Sequence, residues 1–108
     1  MSDWVRVAGE EAAPEGRAVR AEGPDGPLML LRIGDRVFAI ADTCPHQGAP
    51  LHRGAVDLRG GTPIATCPAH GSMFDLATGA VRRGPALRPV AVYEGRIANG
   101  SVEVRAPD

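Results

Sequence analysis

Cys44-Pro45-His46 and Cys67-Pro68-Ala69-His70 each place a thiol and an imidazole within three residues of one another, and together they hold both cysteines and two of the three histidines of the chain. Thiolate is a soft ligand and imidazole a borderline one, so two of each suit zinc or an iron–sulfur cluster far better than magnesium or calcium. Zinc sites usually pair like ligands on one segment, whereas each segment here contributes one cysteine and one histidine. In a 2Fe-2S cluster with two cysteines and two histidines, one iron takes both thiolates and the other both imidazoles. A Cys/His pair on each of two facing loops straddles such a cluster. The donor chemistry favours the cluster and leaves structural zinc as the alternative. In a reducing cytosol a lone disulfide between the two cysteines is disfavoured.

The scaffold that must hold these loops reads as one β-rich domain. The 108 residues suffice for a single domain over 1–108, and no stretch of ten or more residues carries helical periodicity free of Gly or Pro. Short apolar runs alternate with turn signals. They predict strands over 4–8, 18–21, 28–33, 37–41, 63–67, 72–75, 87–93 and 101–105. Gly34-Asp35 and Asn99-Gly100 are the hairpin turns, the second because both residues tolerate positive φ. Residues 23–27 read as a loop. Three irregular segments remain, at 43–54 within a longer stretch reaching Gly61, at 66–79, and at Gly84-Pro85-Ala86-Leu87-Arg88-Pro89, which two prolines stiffen. Aromatics are scarce (Trp4, Phe38, Phe74, Tyr93), so the core must come mainly from Val, Leu, Ile and Ala.

The net charge of −1 mixes both signs and contains no basic run, so neither nucleic acid nor an anionic membrane is expected as a partner. The chain opens on no charged and apolar leader and holds no apolar span, which reads as cytoplasmic. All twelve basic residues are arginines, a composition that fits a GC-rich genome.

Cys44-Pro45-His46-Gln47-Gly48 with Cys67-Pro68-Ala69-His70-Gly71-Ser72 resembles the two-part Rieske 2Fe-2S signature, and the likeness extends over nearly the whole chain. It implies an antiparallel β-sandwich with a cluster-binding subdomain of two loops at one tip. It also implies that Cys44 and Cys67 hold a buried iron, that His46 and His70 hold an outer iron near solvent, and that 84–89 is the proline loop packed over the cluster. Ser72, Gly48, Gly71 and Pro85 are the expected residues around it. The 20 residues between His46 and Cys67 exceed the spacing of small members by a few, and 57–62 is the expected place of the excess, a lengthened hairpin.

High-potential respiratory members carry a disulfide joining the two ligand loops; the corresponding positions here are Ala49 and Ala69. They also place a tyrosine hydroxyl against a ligand sulfur, where this chain has Phe74. Fewer hydrogen bonds to the sulfurs stabilise the reduced cluster less. A potential in the lower part of the roughly −150 to +300 mV range is expected, with Ser72 lifting it somewhat. The resemblance implies a ferredoxin-type electron carrier, a monomer that relays single electrons from a flavin-containing reductase to a terminal oxygenase such as a ring-hydroxylating dioxygenase. The small Rieske-like subunit of an assimilatory nitrite reductase and a zinc-stabilised interaction module are the alternatives. The chain is not expected to be an enzyme, because a non-haem iron site needs two histidines and a carboxylate and only His52 is left over. His52 reads as a surface residue. Arg53, Arg82, Arg83 and Arg88 read as solvated, or as a ring around the tip that meets an acidic partner. His46 and His70 are the expected exit port for the electron, with ring nitrogens that titrate with redox state.

Overall fold

Leu28-Met29-Leu30-Leu31 is an unbroken apolar run, and all four residues are almost fully buried, two on each face of one strand. A strand covered on both faces reads as a continuous hydrophobic stretch instead of an alternating one. This strand is the spine of the fold. The computed structural model describes residues 3–107. Ten strands form: β1 (Val5–Gly9), β2 (Val19–Gly23), β3 (Gly26–Ile33), β4 (Arg36–Ala41), β5 (Val56–Asp57), β6 (Ile64–Thr66), β7 (Met73–Asp75), β8 (Val81–Arg83), β9 (Val92–Ala98) and β10 (Ser101–Arg105). Single 3-10 turns lie at Glu10–Ala12 and Leu51–Arg53. Among the described residues no helix is long and apolar enough to cross a membrane.

The six-stranded sheet runs β1-β10-β9-β4-β3-β2 and the four-stranded sheet β5-β6-β7-β8, every neighbouring pair antiparallel. Leu28 and Leu30 of β3 pack with Val37, Ala39, Val102 and Val104 on one face of the large sheet. Met29 and Leu31 face the other way, joining Phe38, Ile40, Leu51, Phe74, Leu76 and both cysteines. The second cluster fastens the small sheet and its loops to the large one. The all-β expectation holds.

Several element boundaries differ from those read in the sequence. Residues 23–27 are no loop, because Gly23 pairs with Gly26 across a two-residue turn at Pro24-Asp25. The strand expected over 87–93 begins at Val92. Pro89 has no N–H for a ladder, and the proline loop is occupied elsewhere. The rest of β9, Glu94 to Ala98, leaves no strand pattern in the sequence because Gly95 and two charges interrupt its apolar residues. Gly95 is there for a close crossing, since a Cβ would lie 2.7 Å from the Val37 carbonyl oxygen. β5 and β8 are two and three residues long, too short to leave a period in the sequence. Both predicted turns form, and Asn99 and Gly100 have φ of 53° and 76°. The expected hairpin at 57–62 forms, with 58–63 linking Asp57 to its partner Ile64.

Candidate metal centre

Both ligand-bearing segments fold into the same turn. In the first, the Gly48 amide donates to the Cys44 carbonyl (2.7 Å) and the Cys44 amide to the Ala49 carbonyl (2.9 Å). In the second, Gly71 donates to Cys67 (3.1 Å) and Cys67 to Ser72 (2.7 Å). Gly48 and Gly71 both have φ of 81°, which a side chain would strain. The turn occurs a third time with a carboxylate in place of the thiol: Gly79 donates to Asp75 (2.7 Å) and Asp75 to Ala80 (2.9 Å), and Gly79 also has φ of 81°. There the Asp75 Oδ1 accepts the Ala77 and Thr78 amides, two and three residues on. The His46 and Gln47 amides stand in the same relation to Cys44 and favour its thiolate. A turn that closes on its own backbone bonds and recurs around an aspartate does not need a metal to form it.

Within these turns Cys44 and Cys67 are buried, 1% and 3% exposed, whereas His46 and His70 are exposed. The two thiols lie against each other and are not joined in a disulfide. Burial pushes the Cys44 thiol up, the His46 amide pulls it back, and the neighbouring Cys67 thiol raises it again. The two imidazoles meet edge to face, with ring centroids 5.0 Å apart and planes at 87°. Among the described residues no three His, Cys, Asp or Glu side chains converge as one ion would require. The donors are arranged two and two, thiols behind and imidazoles in front. That division fits a two-iron cluster, thiolates on one iron and imidazoles on the other.

Four contacts hold the loops in register. Gly54 lies where a Cβ would fall 1.8 Å from the Thr66 carbonyl oxygen and 3.1 Å from Pro68 Cδ, so only glycine lets the first loop pass so close to the residues flanking Cys67. The Thr66 amide donates to Ala55 there (2.9 Å). The proline loop then bridges both turns. Ala86, 3% exposed, donates its amide to Ser72 Oγ (2.9 Å), and the Arg88 guanidinium donates to the Pro45 carbonyl (3.2 Å). Ser72 is fully buried, and its Oγ serves the proline loop as an acceptor. Pro85 is exposed beside Ala86.

His52 is not the surface residue its position suggested. Its side chain is 20% exposed, and Asp42, with a side chain only 1% exposed, accepts the His52 amide on Oδ1 and faces its Nδ1 with Oδ2, both at 2.6 Å. A carboxylate buried at the end of β4 must find donors, and the 3-10 turn at Leu51–Arg53 supplies them. The contact pins the far end of the first loop to the residue two before Cys44. An acidic residue closing an otherwise apolar strand was the only hint in the sequence. Removing it, as in Asp42→Ala, leaves the His52 amide without its acceptor and is expected to cost about 1–3 kcal/mol of stability in a urea titration. Asp42→Asn keeps an acceptor for the amide and is expected to cost less.

Of the four tip arginines, Arg88 is held by Pro45 and Arg82 pairs with Asp75 (3.2 Å). Arg53 and Arg83 are exposed and, among the described residues, have no carboxylate within 4.0 Å.

The family profile described as Rieske [2Fe-2S] domain matches residues 3–94. The anthranilate 1,2-dioxygenase ferredoxin subunit of Burkholderia cepacia is 38% identical over 105 residues, 96% of this chain and 93% of that protein. Among solved structures, the ferredoxin of carbazole 1,9a-dioxygenase from Nocardioides aromaticivorans IC177 matches with a TM-score of 0.84 at 30% identity, covering 97% of this chain and 98% of that one. The ferredoxin in a complex of reduced oxygenase and oxidized ferredoxin of carbazole 1,9a-dioxygenase matches at 0.80 and 30%, covering 97% and 94%. A protein assigned as an NADH-dependent nitrite reductase small subunit from Mycobacterium tuberculosis matches at 0.82 and 27%, covering 100% and 99%.

Proposed function

The chain belongs to the Rieske [2Fe-2S] domain family, and from that premise we propose that it is a Rieske-type ferredoxin relaying single electrons from a flavin-containing reductase to a terminal oxygenase of the ring-hydroxylating kind. One domain over 1–108 carries one 2Fe-2S cluster, with Cys44 and Cys67 on the inner iron and His46 and His70 on the outer. The observation that supports this most directly is the two-and-two arrangement of the donors, buried thiols behind a pair of exposed imidazoles. When bound, the cluster supplies a one-electron couple. Each residue set then has its own task. The thiolates sit in a dry pocket, where the amides of the turn favour their negative charge. The imidazoles, bound through one ring nitrogen, keep the other at the surface where a partner arrives. Ser72 and the proline loop close the side between the two turns.

The relatives named as ferredoxins of dioxygenase systems support the carrier reading, and the ferredoxin–oxygenase complex supports a terminal oxygenase as acceptor. The chain acts as a cytoplasmic monomer and as an electron-transfer component, not as the oxygenase. The test is direct. Aerobically purified protein is expected to be brown and to hold two irons and two acid-labile sulfides per chain, and its reduced form to be reoxidised by an oxygenase during substrate turnover. Stoichiometric zinc with neither iron nor sulfide, even after reconstitution, would overturn it. The likeness to a nitrite reductase small subunit favours a second reading. Stable co-purification with a sirohaem-containing large subunit, in place of transient turnover, would establish that reading.

Phe74 is fully buried in the core cluster that contains Cys44 and Cys67. Phe74→Tyr is expected to raise the midpoint potential if the new hydroxyl reaches a thiolate. One hydrogen bond of about 1 kcal/mol to the reduced state corresponds to roughly 40 mV for a one-electron couple. An unchanged potential in a redox titration would remove Phe74 from the surroundings of the sulfurs.

A further inference from the structure

Leu87 is 95% exposed, against 44% for Leu58 and 38% for Val5, the other exposed large apolar residues among those described. Single exposed leucines are common, but this one is held out on purpose-built backbone. Its neighbours on either side are fastened to opposite ligand loops, Ala86 to Ser72 and Arg88 to the Pro45 carbonyl beside His46. Pro85 and Pro89 fix φ at both ends of the segment. The loop cannot fold back to cover the side chain. An apolar group already fixed in place loses little freedom when a partner buries it.

The charges around it point the same way. Residues 42–54 and 66–89 carry four exposed arginines, Arg53, Arg82, Arg83 and Arg88, and their two carboxylates, Asp42 and Asp75, are buried. The whole chain is at −1, so the surface away from this end is net negative. A molecule polarised in this way presents its cluster end to an acidic face and its opposite end away from it.

We propose that Leu87 is the apolar anchor of the docking face, entering a carboxylate-rimmed apolar notch on the terminal oxygenase while Arg53, Arg83 and Arg88 meet the rim. This rests on the carrier reading above. The experiment uses the cluster-loaded full chain and the oxygenase that the wild-type protein reduces. Leu87→Ser is expected to raise the KM for reduced carrier about tenfold or more, with kcat at saturation, visible spectrum and midpoint potential unchanged, and Leu87→Met is expected to restore most of the loss. Arg83→Gln is expected to raise KM at low ionic strength and to flatten its dependence on salt. A KM for Leu87→Ser within twofold of wild type overturns the proposal. So does a rise confined to the reductase, or a wild-type dimer that Leu87→Ser dissociates while KM is unmoved. Failure of the carrier reading is a separate result, visible as wild-type protein that no oxygenase reoxidises.

Discussion

Cys44→Ala and His70→Ala are each expected to yield a colourless protein with almost no iron or sulfide, while far-ultraviolet circular dichroism keeps its β signature. The two halves of this outcome have different causes. A 2Fe-2S cluster with four protein ligands loses an iron's coordination when one ligand goes, and no other Cys or His stands ready. His52, the one remaining histidine, is engaged with Asp42. The fold itself persists because both turns close on their own amide–carbonyl bonds. The Asp75 turn keeps the same bonds with no metal ligand in it. Apparent stability is still expected to fall, since a cofactor that binds only the folded state adds to it by mass action. The control is His52→Ala, which is expected to leave the visible spectrum in place and to cost stability alone. A spectrum erased by His52→Ala would show that the ligand assignment is wrong. Collapse of the β signature in Cys44→Ala would show that the cluster, and not the backbone, shapes the turns.

Gly54→Ala is expected to have the next largest effect. Gly54 has ordinary extended φ and ψ of −87° and −179°, so backbone strain is not the reason for a glycine. The reason is contact. A methyl group there would sit 1.8 Å from the Thr66 carbonyl oxygen, which no rotamer change can relieve because the neighbour is backbone. The first loop must move away from Thr66–Pro68, carrying His46 and Cys44 away from Cys67 and His70. Forcing one extra carbon into packed structure costs about 1–3 kcal/mol, and here the displacement falls between the two halves of the centre. Lower thermal stability together with reduced cluster occupancy is therefore expected, read from the melting temperature and the iron-to-protein ratio. Gly60→Ala is the matched comparison. No atom lies within 4 Å of its would-be Cβ, and its φ is not positive, so little change in either quantity is expected. Equal effects at the two glycines would remove loop contact as the cause.

Much of the centre was legible in the sequence because its geometry closes over a few residues. The donor types and their spacing name the two ligand segments, and the glycine four residues after each cysteine closes a turn on bonds between near neighbours, although from the sequence these segments read only as irregular loops. Asn99-Gly100 is legible for the same reason, since the turn needs positive φ at both residues and both tolerate it. The apolar run at 28–31 is legible as a strand, and its lack of alternation matches the cover it has on both faces.

What the chain order could not convey were the distances between segments. His52 looked solvent-bound until β4 carried Asp42 under it. Ser72, expected beside a cluster sulfur, is instead seen as the acceptor for Ala86, a residue 14 positions away. Gly54, Gly95 and the exposure of Leu87 follow from which backbone passes which, and β5 and β8 exist because β6 and β7 offer edges to pair with. The linear sequence determined the donor atoms and the local turns, because hydrogen bonds within five residues depend on adjacent residue types alone. Only the tertiary structure decided that the thiols face inward, the imidazoles outward, and an anchored leucine stands beside them, because burial is a property of what else packs nearby.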